Sequence, residues 1–320
     1  MRVLDVKNLS VSFKSTHKDY ITVVHGIDFH VDKGEVLGIV GESGCGKSVT
    51  SLSVMGLIPK TQGKVEGEIL FGGENLLQKK DREMQRIRGN RIAMIFQDPM
   101  TALNPVFTIG NQLIEPFMQH QKLKKKEAAA EAAKMLTQVE IAEPERNMAA
   151  YPHQFSGGMR QRVMIAMGLS CKPEILIADE PTTALDVTIQ AQVLELMKKM
   201  RAELGTAIML ITHDLGVVAD IADRIMVMYA GYVVEEAEKF ELFKNHKHPY
   251  TEGLLKSIPL LTEDRKRLYT IEGTVPSPSS PISGCPFHTR CPYCTDRCKE
   301  ELPPMREISP KHFVRCFKED

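Results

Sequence analysis

Three features are missing from this sequence of 320 residues, and each absence excludes a class of protein. There is no excess charge, since 41 Lys and Arg balance 41 Asp and Glu, whereas a nucleic-acid binder usually has a basic excess on one face. No basic segment followed by an apolar one opens the chain, so no secretory signal is visible. No apolar run approaches the roughly 20 residues that span a bilayer. We therefore expect a cytosolic chain that reaches a membrane only through a partner.

The order of apolar patterns predicts an α/β fold. Alternating apolar residues predict strands in the first 40 residues, and an apolar run at 35–40 leads through a glycine-rich loop into a predicted helix at 48–57. Strand signals fade at about 99–170, where a segment rich in Ala, Lys and Glu predicts a helix at 124–139. Strands return at 175–178, 207–211 and 225–228. A helical subdomain is therefore expected inside a parallel-sheet domain.

A Pro/Ser-rich stretch at 275–281 reads as a linker. We expect a main domain at 1–255, a linking segment at 256–283 and a small cysteine-rich tail at 284–320. Five of the seven cysteines lie between Cys285 and Cys316. In a cytosolic chain, that crowding predicts a metal or cluster site rather than disulfides.

Residues 41–48 fit the phosphate-loop pattern G-x-x-x-x-G-K-[ST] in full. Glycines let backbone N–H groups converge on phosphate oxygens, and the following helix adds its positive end. Lys47 is predicted to reach the β- and γ-phosphates and Ser48 to bind Mg²⁺. The alternative is a chance glycine-rich turn. The Cys45 side chain is assigned to packing, and the predicted nucleotide-binding residues here are Gly41, Ser43, Gly44, Cys45, Gly46, Lys47, Ser48 and Val49.

Two carboxylates follow the buried-strand pattern at 175–178. Asp179 would hold the magnesium, directly or through water, and Glu180 would point to the water that attacks the γ-phosphate. The alternative is a helix N-terminus with a favourable dipole. The phosphate loop upstream favours the catalytic interpretation.

A further loop and helix start carry two adjacent glycines after a serine, in the order Phe155-Ser156-Gly157-Gly158-Met159-Arg160-Gln161-Arg162. Together with the phosphate loop, Gln97, Asp179-Glu180 and His213, this order resembles the ATP-binding cassette (ABC) family over roughly residues 1–255. The resemblance implies a P-loop NTPase cassette with a RecA-like core sheet, an N-terminal antiparallel β subdomain and an inserted helical subdomain.

The resemblance also implies roles for single residues. Ser156, Gly157 and Gly158 match the signature motif, which contacts the γ-phosphate bound on the opposite protomer. Gln97 matches the glutamine that senses the metal and the water, and that couples to the membrane subunit. His213, in Thr212-His213-Asp214, would lie near the γ-phosphate, and Ala184-Leu185-Asp186 match the D-loop. The predicted catalytic residues are therefore Glu180, His213 and Gln97, with Ser48, Gln97 and Asp179 around Mg²⁺.

In this family an aromatic residue near the N-terminus stacks on the adenine. Phe13 lies 28 residues before Gly41 and is the candidate, with Tyr20 as the alternative. Such a site needs two chains, because the signature serine of one protomer closes the phosphate loop of the other. ATP then joins the protomers, and its hydrolysis releases them.

Three details resemble the dipeptide/oligopeptide importer ATPases, in particular the "D" subunit of a non-identical pair: the stretch at 96–105, the motif at 248–251 and the cysteine tail. This resemblance implies a second ATPase subunit, two transmembrane permease subunits and an extracytoplasmic peptide-binding protein, with the chain at the cytoplasmic face of the membrane and no nucleic acid. The alternatives are an importer of nickel or another small solute, and a soluble ABC ATPase.

The cysteine tail has three interpretations: a [4Fe-4S] cluster, a structural zinc ion and unligated thiols. The importer resemblance implies four cluster ligands, Cys285, Cys291, Cys298 and Cys316. Cys294 is then a surplus thiol, although Cys291-x-x-Cys294 is also a plausible zinc half-site. A structural role in holding the short tail is expected.

Overall fold

The computed structural model describes residues 1–15, 19–98, 102–183, 185–258, 269–280 and 282–318. Pro99 to Thr101, Ala184 and Pro281 belong to segments quoted above and lie outside the described residues. The strands are β1 Arg2–Lys14, β2 Tyr20–Asp32, β3 Val36–Val40, β4 Gly63–Phe71, β5 Glu74–Asn75, β6 Ile92–Ile95, β7 Ile175–Asp179, β8 Ala207–Thr212, β9 Arg224–Tyr229, β10 Tyr232–Glu238, β11 Arg306–Ser309 and β12 His312–Val314.

Among the described residues there are eleven helices, and the first and the fourth lie within a few residues of the predicted positions 48–57 and 124–139, the first being shorter than expected. They are α1 Lys47–Val54, α2 Asp81–Ile87, α3 Ile109–His120, α4 Lys125–Gln138, α5 Pro144–Asn147, α6 Gly157–Leu169, α7 Val187–Leu204, α8 Leu215–Ile221, α9 Lys239–Asn245, α10 Pro249–Lys256 and α11 Asp296–Glu300. Within the described ranges, none of these helices combines the length and apolarity needed to cross a bilayer.

The chain divides into two compact units. The first contains 1–3, 31–35 and 78–209, and the second contains 4–30, 36–77 and 210–320. The boundary runs through β8, between Met209 and Leu210. Each unit is built around its own run of buried strands.

In the first unit the strand order is β8-β7-β6, and β6 and β7 are parallel, with Ile92 opposite Ile175 and Ile95 opposite Ala178. All five residues of β7 are buried. Helices α3 to α6 form the helical segment that the sequence predicts. The apolar face of α7 belongs to the core of this unit, since Val193 and Met200 are fully buried.

In the second unit the strand order is β11-β12-β10-β9-β3-β8, with a separate antiparallel sheet in the order β2-β1-β4-β5. Strand β12 pairs antiparallel with β10, placing Val314 opposite Glu235 and Phe313 opposite Glu236. The last strands of the tail therefore extend a sheet of this unit, although the sequence suggests an appendage beyond a linker. At three and four residues, β12 and β11 are too short for a readable alternation.

A buried pair of side chains joins β10 to β12. His312 Nε2 lies 2.8 Å from Glu235 Oε1, and the backbone N–H groups of Lys247 and His248 also donate to the Glu235 carboxylate. Burial alone would raise the pKa of Glu235, but these hydrogen bonds lower it below its ordinary value. Burial alone would lower the pKa of His312, but the neighbouring Glu235 carboxylate raises it above its ordinary value. The pair anchors the end of the chain.

Candidate functional site

The phosphate loop connects β3 to α1 in the second unit. A Cβ at Gly41 would lie 2.2 Å from the Met228 carbonyl oxygen, so only glycine fits there. Gly46 has φ 103°, a left-handed conformation that disfavours a side chain. The Lys47 ammonium is buried and donates to the carbonyl oxygens of Gly41 (2.6 Å) and Glu42 (3.1 Å). The loop therefore has the close-packed backbone that its sequence predicts.

A tyrosine far along the chain supports this loop. The N–H of Glu42 donates to the hydroxyl of Tyr250, at 2.8 Å, and Tyr250 is fully buried. His248 is the N-cap of α10, and its Nδ1 accepts from the Tyr250 N–H at 3.1 Å. Burial lowers the pKa of His248 to about 4, so at pH 7 its ring is neutral and can accept. The motif at 248–251 therefore contacts the phosphate loop, a role that the sequence does not reveal.

The candidate adenine-stacking residues have different surroundings. A cavity of about 330 Å³ beside Gly44 is lined by Tyr20, His25, Tyr232 and residues 276–280. Phe13, which the structure also describes, is not among its lining residues and is half-buried against Gly63. Residues of the expected linking segment therefore border the phosphate loop. The choice between Phe13 and Tyr20 stays a prediction.

The first unit brings two predicted catalytic residues together. Gln97 Nε2 donates to Glu180 Oε2 at 2.9 Å, and the Thr183 hydroxyl donates to the same oxygen at 2.9 Å. Asp179 is buried at the end of β7. Glu180 follows it with φ 48°, a conformation that costs free energy in a residue with a side chain. Its carboxylate is thus held in one orientation by two donors.

The predicted signature residues begin α6. The Ser156 hydroxyl accepts from the Met159 N–H at 3.3 Å and caps the helix. A Cβ at Gly158 would lie 2.7 Å from Ile189 Cγ2, so this glycine permits the close approach of α6 to α7. Ser156 and Gly157 are exposed.

The remaining predicted residues also lie at helix starts. Asp214 caps α8 by accepting from the N–H groups of Gly216 and Val217, and the adjacent His213 is exposed. Asp186 of the predicted D-loop caps α7, accepting from the Ile189 N–H at 3.0 Å. These caps fix the backbone on which the motifs lie.

Four of the tail cysteines line one cavity of about 330 Å³ in the second unit, namely Cys285, Cys291, Cys298 and Cys316. All seven cysteines are free, and Cys294 is not among the lining residues. Burial, with a smaller contribution from the neighbouring cysteines, raises the pKa of Cys285 to about 12 and that of Cys291 to about 11. Among the described residues, no three His, Cys, Asp or Glu side chains are grouped closely enough to hold a metal ion.

Comparisons with known proteins agree with these motifs. The family model described as ABC transporter matches residues 24–183, and the model for the C-terminal region of oligopeptide/dipeptide transporters matches residues 234–298. The dipeptide transport ATP-binding protein DppD of Bacillus subtilis is 52% identical over 320 residues, which cover 100% of this chain and 95% of that one. The oligopeptide transport ATP-binding protein OppD of Salmonella typhimurium is 46% identical over 99% of this chain and 93% of its own.

The chain belongs to the ABC transporter family, in its oligopeptide/dipeptide branch. The fold agrees with this membership. The dimeric ATP-binding cassette MJ0796, solved in a post-hydrolysis state with ADP and Pi, has a TM-score of 0.65 and 28% identity, covering 74% of this chain and 98% of that one. The predicted cassette fold and ATPase activity of this family member are thereby confirmed, and neither the nickel importer nor the soluble ABC ATPase is favoured.

Proposed function

We propose that this ABC ATPase powers an importer that takes up dipeptides or oligopeptides across the cell membrane. The observation that carries the substrate class is the C-terminal match at residues 234–298, beyond the general cassette match at 24–183. Relatives named for dipeptide or oligopeptide transport align with nearly the whole chain. As a subunit of such an importer, the chain would lie at the cytoplasmic face of the membrane.

The phosphate loop supplies the groups that bind the triphosphate. On the arrival of ATP, Lys47 would exchange the carbonyl oxygens of Gly41 and Glu42 for phosphate oxygens, which are stronger acceptors. The hydroxyl of Ser48, at the first turn of α1, would be a ligand of Mg²⁺. The backbone of Gly41, Ser43, Gly44, Cys45 and Gly46, with Val49 behind it, would surround the phosphates.

Two of the hydrolytic groups lie where β7 ends, Asp179 as its last residue and Glu180 directly after it. We propose Glu180 as the base that orients and deprotonates the attacking water, because two donors already hold its carboxylate. Asp179 and the Gln97 amide offer the hard oxygen ligands that Mg²⁺ prefers. His213 would contact the γ-phosphate. The adjacent Asp214 caps α8, which holds the backbone that carries the His213 side chain. These roles extend the resemblance to the positions that the structure describes.

Closure requires a second ATPase subunit. Ser156, Gly157 and Gly158 lie at the N-terminus of α6, whose N–H groups attract anions. We propose that this helix start contacts the γ-phosphate bound on a partner cassette, non-identical to this chain. ATP would then hold the two cassettes together until hydrolysis.

An exposed apolar groove supports a membrane partner. On α3 and the preceding loop, Phe107, Ile114 and Met118 line an open cavity of about 480 Å³, and Val106 beside it is 72% exposed. Exposed apolar surface of this kind marks protein interfaces. We propose that a cytoplasmic segment of one of two permease subunits lies there, while an extracytoplasmic peptide-binding protein delivers the substrate. Co-purification of the tagged chain with membrane subunits tests this partner.

Substrate uptake tests the proposed function. Cells of the source organism that lack this chain should lose uptake of labelled dipeptides and oligopeptides and regain it with the wild-type chain, but not with Glu180→Gln. Labelled nickel, assayed in the same cells, is the matched control and should be unaffected. Loss of nickel uptake with intact peptide uptake would assign the chain to the other solute.

For the tail, we propose that the cavity lined by Cys285, Cys291, Cys298 and Cys316 holds a [4Fe-4S] cluster. The fit rests on the donor set, since such clusters take four cysteine thiolates, and these four side chains line one cavity. Ligation would also relieve the cost of deprotonating Cys285 and Cys291, whose pKa values are raised. The cluster would hold the tail together, and a zinc ion is the alternative occupant.

Metal analysis of protein purified without oxygen distinguishes these occupants. We expect brown protein with about four irons and four sulfides per chain. Cys291→Ser should lose most of the iron, whereas Cys294→Ser should retain it, because Cys294 does not line the cavity. One zinc per chain and no colour would contradict the cluster, and iron loss in Cys294→Ser would contradict the ligand set.

A further inference from the structure

An ion pair links the phosphate loop to the cysteine-rich tail. Arg290 Nη1 lies 2.6 Å from Glu42 Oε2, and Nη2 lies 3.1 Å from Oε1. Two parallel N–H···O bonds of this kind fix orientation as well as distance. Glu42 is the second residue of the phosphate loop, and 248 positions separate it from its partner.

Further hydrogen bonds, besides the pair with Glu42, hold the Arg290 side chain in place. Its side chain is only 3% exposed, and it donates further to the carbonyl oxygens of Ile271 (3.2 Å) and Glu272 (3.0 Å) and to the Tyr229 hydroxyl (3.3 Å). A buried guanidinium with its donors engaged cannot move without losing several charge-assisted bonds. Arg290 therefore presents a fixed positive charge to Glu42.

An aromatic cluster holds the backbone on the same side. Phe287 packs edge-on against Tyr229, with ring centroids 5.1 Å apart, and its ring centroid lies 5.4 Å from that of Tyr250. The Tyr250 hydroxyl accepts from the Glu42 N–H. Tyr250 therefore holds the backbone of Glu42, and Arg290 holds its side chain. The loop that receives the phosphates is thus shaped by the C-terminal part of the chain.

We propose that Arg290 is a positioning residue for nucleotide binding, which neutralises Glu42 and holds the phosphate loop in its receptive shape. Without Arg290, a carboxylate in the loop would repel the triphosphate, and the loop would have to be ordered when ATP binds. This inference rests on the proposed role of residues 41–48 in binding ATP. It concerns affinity for the nucleotide, since Arg290 acts on the phosphate loop through its ion pair with Glu42.

The Arg290–Glu42 ion pair, called the clamp below, lies next to the cysteine cavity in the sequence. Arg290 directly precedes Cys291, and successive turns, with His288 N–H donating to the Cys285 carbonyl and Arg290 N–H to the Phe287 carbonyl, define the segment between the two cysteines. Cys285 and Cys291 both line the cavity. The residues that shape the cavity therefore also set the backbone that carries the arginine.

Equilibrium binding of a fluorescent ATP analogue to the full-length chain tests the proposal. Arg290→Ala should weaken binding at least about tenfold, because it removes the buried partner of a bidentate ion pair and leaves the partly exposed Glu42 carboxylate in the loop without its guanidinium. The kcat at saturating ATP should change by less than about threefold, so that the effect falls on KM. Arg297→Ala is the matched control, because Arg297 is an exposed tail arginine, and it should bind like the wild type.

A double-mutant cycle with Glu42→Gln separates the clamp from a general loss of structure. Glu42→Gln leaves the other contacts of Arg290 in place, and Arg290→Ala in that background should weaken binding by less than about threefold. If the alanine variant does not fold, Arg290→Lys replaces it in both backgrounds, because lysine keeps the charge but cannot form the bidentate bond. Unchanged affinity in the folded variants, or equal weakening in both backgrounds, would overturn the proposal. If Lys47→Ala also binds normally, the phosphate-loop assignment fails rather than the clamp alone.

Discussion

Lys47→Ala should abolish ATP hydrolysis and weaken ATP binding by at least about a hundredfold, the scale on which charged groups that hold a transferring phosphoryl contribute. The Lys47 ammonium is buried and donates to two carbonyl oxygens of the loop. Residues 41–48 contain no second lysine that could replace it. Hydrolysis by colorimetric phosphate release and binding of a fluorescent ATP analogue measure the two effects.

Lys64→Ala is the control for this change, because Lys64 is exposed on β4 and its ion pair is with Glu66, outside the phosphate loop. It should hydrolyse ATP like the wild type. Wild-type turnover in folded Lys47→Ala would mean that residues 41–48 do not bind the phosphates, and the phosphate-loop interpretation would be wrong.

Glu180→Gln should reduce hydrolysis by about a thousandfold or more while leaving ATP binding intact, because the amide keeps the size of the carboxylate but cannot accept the proton of the attacking water. The bonds from Gln97 and Thr183 hold the wild-type side chain and need little change of geometry in the variant. Since closure survives and hydrolysis does not, an ATP-bound dimer should accumulate, and sedimentation with and without ATP measures it.

Glu174→Gln, at an exposed position before β7, is the control and should hydrolyse ATP normally without accumulating a dimer. Turnover by Glu180→Gln at the wild-type rate would assign the catalytic carboxylate elsewhere.

Local sequence patterns were sufficient for the cassette. The apolar run of β3, the glycines of the loop and the helix after it are neighbours in the chain, so their chemistry can be read without knowing the fold. The same holds for β7 with its two carboxylates and for the serine that caps α6. Each of these motifs places its functional group at the end of one strand or the start of one helix.

What the sequence could not supply were contacts between distant segments. Neither Arg290 nor Tyr250 carries a local signal of its contact with Glu42, because the partners meet only when the chain folds. The pairing of β12 with β10 was missed for a related reason: His312 and Glu235 are 77 residues apart and their strands are short. The sequence separates the tail at a Pro/Ser stretch, whereas residues of that stretch line a cavity beside Gly44.

The central claim, that ATP hydrolysis by this chain drives peptide import, is tested most directly in the complex isolated from membranes through a tag on the chain. With its membrane subunits in proteoliposomes and the peptide-binding protein added, hydrolysis should rise when a peptide is supplied, and labelled peptide should cross the bilayer. Glu180→Gln in the same complex should abolish both. Peptide transport that continues unchanged with Glu180→Gln, or a chain that isolates without any membrane subunit, would contradict the account.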